Sequence, residues 1–177
     1  MKAFFILLVC FQQLLSAQDI SILRTFYAND YRDWLFYDEQ ENEMGTLRTR
    51  WQMTKDYSQW DIRLGELSGS ILLRWQDRPN EWEVRISDDL FTMTSTWPNQ
   101  LDSWRITNEG DTYYLNLIPD PEGTQWALEQ DQNILAYIYN VYYDDPREWE
   151  VKRHQEKINQ NLLITAFFLV SYYSSPK

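Results

Sequence analysis

Five tryptophans at a near-constant interval constrain this chain more than any other feature. Trp60, Trp82, Trp104, Trp126 and Trp149 recur about every 22 residues, each followed two places later by an aliphatic residue. A fixed period of this length marks a repeated supersecondary unit. The units read WDIRLGELSGSILLRW, WEVRISDDLFTMTSTW, WRITNEGDTYYLNLIP, WALEQDQNILAYIYNV and WEVKRHQEKINQNLLI, with a second landmark fifteen places after the first at Trp75, Trp97, Pro119, Val141 and Ile164. The connectors QDRPNE, PNQLDS, DPEGTQ and YYDDPRE are polar, carry proline and read as long surface loops. Trp34 and Trp51 extend the pattern upstream, so about six hairpins are expected.

Within each unit the residues alternate with the period of a strand. First strands place Trp60, Ile62 and Leu64, then Trp82, Val84 and Ile86, on one face, with Asp61, Arg63, Glu83 and Arg85 between them. Second strands place Ile71, Leu73 and Trp75, then Phe91, Met93 and Trp97, then Tyr113, Leu115 and Leu117, then Tyr137, Tyr139 and Val141 on that same face. Turn residues cluster at Gly65–Gly69, Ser87–Asp89, Asn108–Asp111 and Gln130–Asn133. The fold class that follows is all-β, an antiparallel meander of Trp-marked β-hairpin repeats with one dry face and one wet face. A sheet of this many strands cannot leave its dry face open to water, so it must curl or close into a barrel.

The C-terminal run LLITAFFLV is apolar on every side and follows the polar, glycine-free HQEKINQN. Two readings compete over about 155–171: a helix packed on the concave face, or a last buried strand that keeps the repeat register. Poor turn chemistry favours the helix, with Ile158, Leu162, Ala166, Leu169 and Tyr173 on one stripe. The apolar run is too short for a transmembrane helix, so no integral membrane span is expected.

At the other end, residues 1–17 combine Lys2, the apolar run AFFILLVCF and the small residues Ser16 and Ala17. That is the pattern of a secretory signal peptide cleaved after Ala17, which leaves 18–177 as a single domain. The only cysteine, Cys10, falls in the signal, so the exported chain has no disulfide and no thiolate metal site. With 16 basic against 27 acidic residues the net charge is −11. That balance argues against nucleic acid as a partner and against anionic lipid head groups, both of which need clustered cations.

No constellation for catalysis stands out. His154 is the only histidine, no G-x-S-x-G elbow accompanies it, and the five glycines form no phosphate-binding loop. Asp88 with Asp89, Asp144 with Asp145, and Glu148 with Glu150 read as solvated turn acids. No catalytic, metal-ligating or cofactor-binding residue is assigned, and no cofactor is expected. The tryptophans read first as core, with a carbohydrate-stacking platform or an aromatic membrane girdle as alternatives. Exposed loops on a rigid scaffold carry recognition, so Tyr57, Tyr142, Tyr143 and Arg147 are the candidate ligand contacts.

The function expected from these features is a secreted or periplasmic noncatalytic binding or structural module, acting on a glycan or an extracellular protein surface. An outer-membrane-associated β-barrel-like protein is the second reading. A carboxylate-based hydrolase is the last.

Overall fold

The computed structural model describes residues 19–51, 53, 56–120 and 123–176. The expected signal peptide, 1–17, lies outside the described residues. Twelve strands and one helix follow in order among those residues: β1 (Ile22–Tyr27), β2 (Asp30–Tyr37), β3 (Glu43–Thr49), β4 (Gln59–Leu64), β5 (Leu67–Trp75), β6 (Arg78–Ile86), β7 (Asp89–Ser95), β8 (Ser103–Asn108), β9 (Asp111–Asp120), β10 (Gly123–Gln130), β11 (Asn133–Tyr142), β12 (Asp145–Arg153) and α1 (Gln160–Ser174). Each strand pairs antiparallel with the next, and β1 pairs with β12, so the expected meander closes into a barrel. Closure removes both sheet edges. The closing seam is short, with Cα partners only at Ile22–Glu150, Leu23–Trp149 and Arg24–Glu148. Side chains reinforce it: Arg24 Nε and Nη2 each donate to Glu148 at 2.8 Å, and Arg153 reaches the Ser21 hydroxyl at 3.1 Å.

The dry face lines the lumen and α1 fills it. Trp60, Ile62 and Leu64 of β4 and Trp82, Val84 and Ile86 of β6 are buried in one cluster with the helix. Every residue from Leu162 to Tyr172 is buried, so the helix meets apolar wall on all sides. Its rings touch well-separated strands: Phe167 packs on Phe36 of β2, Phe168 on Trp60 and Trp82, and Tyr173 on Trp104 of β8. Eight strands enclose only side chains, whereas twelve leave room for a helix on the axis. Hence the run is apolar all round, as a helix without a wet face must be.

The helix begins five residues later than the expected 155 and ends three beyond 171, because Asn159 is its N-cap. The Asn159 carboxamide oxygen accepts from Asn161 N at 2.8 Å, and Asn161 Nδ2 donates to Asp89 at the β6–β7 turn. The helix therefore enters at the end of the barrel that holds the tight turns. It runs about 22 Å, the rise of its 15 residues, to the end that holds the connectors.

Six tryptophans ring that connector end. Trp34, Trp60, Trp82, Trp104, Trp126 and Trp149 sit near the start of each even-numbered strand and are at most 2% exposed. Four of the indole N–H groups donate to the carbonyl three residues earlier: Trp34 to Tyr31, Trp60 to Tyr57, Trp104 to Leu101 and Trp149 to Pro146, at 2.8–3.0 Å. Trp82 reaches its equivalent through the helix. Its indole donates to the Tyr173 hydroxyl at 2.8 Å, and that hydroxyl donates to the Pro79 carbonyl. The repeat thus encodes a side chain that packs on the helix and satisfies a rim carbonyl at once.

Three expectations are corrected. In β11 the inward residues are Ala136 and Ile138, opposite Leu128 and Trp126, while Tyr137 and Tyr139 face outward. Tyr139 donates from its hydroxyl to Glu150 at 2.6 Å instead. The cause is a register shift between Leu128 and Glu129, which exchanges the faces of the partner strand. Three of the four connectors are not long loops, because the strands continue into them: two-residue turns remain at 76–77 and 143–144, and β9 and β10 stay paired as far as Asp120 and Gly123. Beyond the tryptophan layer those strands no longer face the apolar cluster, so their apolar alternation stops while their ladder continues. Gly69 belongs to β5 rather than to a turn, since a Cβ there would lie 2.5 Å from the Arg85 carbonyl oxygen.

Candidate functional site

The barrel walls face outward with Asp61, Arg63, Glu83, Arg85 and Arg105, and the lumen is filled, so the connector rim is the surface left for recognition. Twelve large apolar residues are conspicuously exposed among the described residues. All but Leu90 and Tyr114 lie on or beside the connector rim, where Phe26, Tyr27, Trp51, Met53, Trp75, Trp97, Tyr142 and Tyr143 stand around its circumference. The tryptophans therefore divide in two. Trp51, Trp75 and Trp97 are 50%, 51% and 61% exposed, against at most 2% for the six in the ring. The reading of all tryptophans as core fails for these three. Each stands at or past the end of a strand, followed at once by Gln52, Gln76 or Pro98, and that neighbourhood was the signal available in the sequence.

The four sequence-derived candidates all belong to this rim but do not converge on one point. Tyr57 is half-buried in the 50–58 connector, its ring 6.3 Å from Trp60 and its carbonyl receiving the Trp60 indole N–H. Tyr142 ends β11, Tyr143 occupies the β11–β12 turn, and both rings are open to solvent, 58% and 75% exposed. Arg147 stands in β12 and pairs with Asp145, Nε to Oδ1 at 2.7 Å. Tyr142 and Arg147 share a depression of about 300 Å³ with Arg24, Asp145 and Glu148. The β1–β2 hairpin separates that depression from the connector carrying Tyr57.

Several carboxylates on this side of the barrel are engaged in structural pairs. Asp145 is held by Arg147, whose guanidinium lowers its pKa, and Glu148 by Arg24. Glu150 accepts the Tyr139 hydroxyl, and at the far end Asp89 accepts from Asn161 in the first turn of α1. The single histidine, His154, stands edge-on to Tyr137 at 5.1 Å, outside the barrel. No group of three potential metal-ligating side chains occurs among the described residues.

Two phenols of α1 couple the rim to pH. Burial pushes Tyr172 up to about 12, helped by Tyr57 and Asp56, and burial raises Tyr173 despite the opposing Trp82 indole hydrogen bond. Both hold their protons to higher pH when folded than when unfolded, where tyrosine titrates near about pH 10. The stability they contribute is complete below about pH 10 and is lost as the pH climbs through the folded-state values. Melting temperature is expected to fall steeply above about pH 10, and Tyr173→Phe to flatten that fall. Thermal melts across the alkaline range check this; equal slopes for the two proteins would rule out Tyr173 as the cause.

No protein-family model, curated protein or solved structure matches the chain. The site's own chemistry is what bears on function. Among the described residues, no helix is long and apolar enough to cross a membrane.

Proposed function

We propose that this protein is an exported, noncatalytic binding module that uses its aromatic rim to hold a glycan. The observation that carries the reading is the gathering of exposed indole and phenol rings on one end of a closed barrel whose lumen is filled. Such rings offer flat faces to the C–H faces of sugars, and each is a rigid side chain with few rotatable bonds to immobilise on binding. The filled lumen leaves no interior cavity for a small ligand, which supports binding at the rim. An acidic chain suits a neutral glycan better than an anionic polymer.

The outer-membrane reading draws less support, because a lipid-facing wall is an apolar band and these walls carry charges of both signs. The hydrolase reading draws least, since acid–base work needs two free carboxyls converging on a cleft, and in the depression beside Tyr142 the carboxylates Asp145 and Glu148 are each held by an arginine. Export rests on the leader pattern of residues 1–17.

Retention on insoluble cellulose, chitin and peptidoglycan tests the reading. The wild type is expected to bind at least one of them, and the triple variant Trp51→Ala, Trp75→Ala, Trp97→Ala to lose retention while melting as the wild type does. Failure of the wild type on all three overturns the glycan assignment. Amino-terminal sequencing of the exported product tests the leader, with Gln18 the expected first residue.

A further inference from the structure

One member of the tryptophan ring breaks the pattern of the other five. The Trp126 indole Nε1–H is buried and has no acceptor among the described residues, although the ring is only 2% exposed. Two local features explain the exception. The residues three places before the other ring tryptophans are Tyr31, Tyr57, Pro79, Leu101 and Pro146, each with a side chain, whereas the one before Trp126 is Gly123. The β9–β10 ladder also runs without a register shift from Glu129–Tyr114 to Gly123–Asp120, while the hairpins of Trp34, Trp82 and Trp149 each carry a shift beside the rim. A bulge bends and twists a strand, and β10 lacks the bend that brings a carbonyl over the indole elsewhere.

A recess of about 520 Å³ opens beside Trp126, within the range of about 300–1,000 Å³ usual for small-molecule sites. Asn99, Gln100, Asp102 and Thr124 supply polar groups to its lining, and Leu101 and Leu117 supply apolar ones. The end of α1 closes one side with Tyr173 and Ser174. Its last turn has no basic residue, so the recess faces the negative end of the helix dipole as well as Asp102. Anions are disfavoured there. A hydroxyl suits the site, because it can accept from the indole and donate to a carboxylate. The exposed Trp97 opens the turn whose far side lines the recess, with Gln100 N donating to the Trp97 carbonyl at 3.2 Å.

We propose that this recess is a subsite for a neutral sugar residue, held by a hydrogen bond from the Trp126 indole N–H to a sugar oxygen and by donation of a sugar hydroxyl to Asp102. It rests on the reading that the rim binds a glycan, and it names where one unit of that glycan sits.

Indole N–H resonances of the ¹⁵N-labelled protein provide the test. The Trp126 signal is assigned by its loss in Trp126→Phe, and cellohexaose, chitohexaose, xylohexaose and mannohexaose are titrated in turn. Saturable movement of the Trp126 signal with at least one oligosaccharide is expected. Trp126→Phe and the exposed-site variant Asp102→Asn should each weaken binding of that oligosaccharide about tenfold. Asp102→Asn carries the test if Trp126→Phe does not fold. Movement of the Trp51, Trp75 or Trp97 signals without Trp126 would overturn the subsite and leave rim binding standing. Silence of all of these signals would overturn both. Movement of Trp126 with unchanged affinity in the variants would remove the proposed hydrogen bonds and overturn the subsite.

Discussion

Ending the chain at Ile158, before α1, is expected to abolish the cooperative folding transition. Without the helix, inward-facing Trp60, Trp82, Trp104, Phe36 and Phe91 would line a hollow too wide for their side chains to fill, and the apolar wall would meet water or collapse. The point variant Phe168→Ala measures the same effect in part. Phe168 is fully buried, with ring centroids 5.6 Å from Trp60, 4.9 Å from Trp82 and 5.4 Å from Tyr172. Its truncation should cost about 3–5 kcal/mol, a large share of the roughly 5–15 kcal/mol that holds a domain folded. Near-ultraviolet circular dichroism during thermal melting checks both. A truncated chain that melts sharply at the wild-type temperature would show that the barrel does not need its plug.

Gly45→Ala should destabilise the barrel by about 1–3 kcal/mol or more, and Gly65→Ala by less. A Cβ on Gly45 would lie 2.0 Å from the Arg63 carbonyl oxygen and 2.8 Å from Leu64 Cα, both backbone atoms of β4. Neither can swing aside as a side chain would, so β3 and β4 must part and the closed ladder must distort with them. Gly65 meets nothing within 4 Å and pays only for its φ of +56°, a strain of about 1–2 kcal/mol for a residue with a Cβ. Urea midpoints of the two variants against the wild type decide the order. Equal shifts would mean that the ladder at Gly45 yields more readily than its geometry requires.

The repeat made most of this barrel legible. Tryptophan spacing located the even-numbered strands from β4 onward, alternation assigned their inner faces, and turn residues located the hairpin ends at 65, 87, 109 and 131. The meander therefore followed from local patterns, because each hairpin is a contact between neighbours in sequence. The helix was legible too, since a run apolar on all sides and preceded by no turn chemistry suits a surrounded helix better than a strand. The face of β11 was not. Tyr137 and Tyr139 alternate as well as Ala136 and Ile138 do, and only the register shift against β10 selects between them.

The rim shows the same division. Tyr142, Tyr143 and Arg147 could be placed at a connector by their polar, proline-containing surroundings, yet their separation from Tyr57 by the β1–β2 hairpin needed the order of strands around the barrel. Trp75 and Trp97 share the apolar face in the linear pattern with residues that are buried, and they emerge into solvent because the wall rises past the end of the helix there. Trp126 begins its unit as the other ring tryptophans do. Its unmatched indole arises from Gly123 and a ladder without a bulge, and the recess beside it is closed by the α1 terminus, an arrangement brought together only by folding. By itself the sequence determined the repeating unit, the faces of most strands and the acidic charge, all of which depend on residues near one another in the chain. Closure, the helix along the axis, and which rings reach solvent were decided by the tertiary structure, because each depends on how twelve strands and one helix share a single enclosed volume.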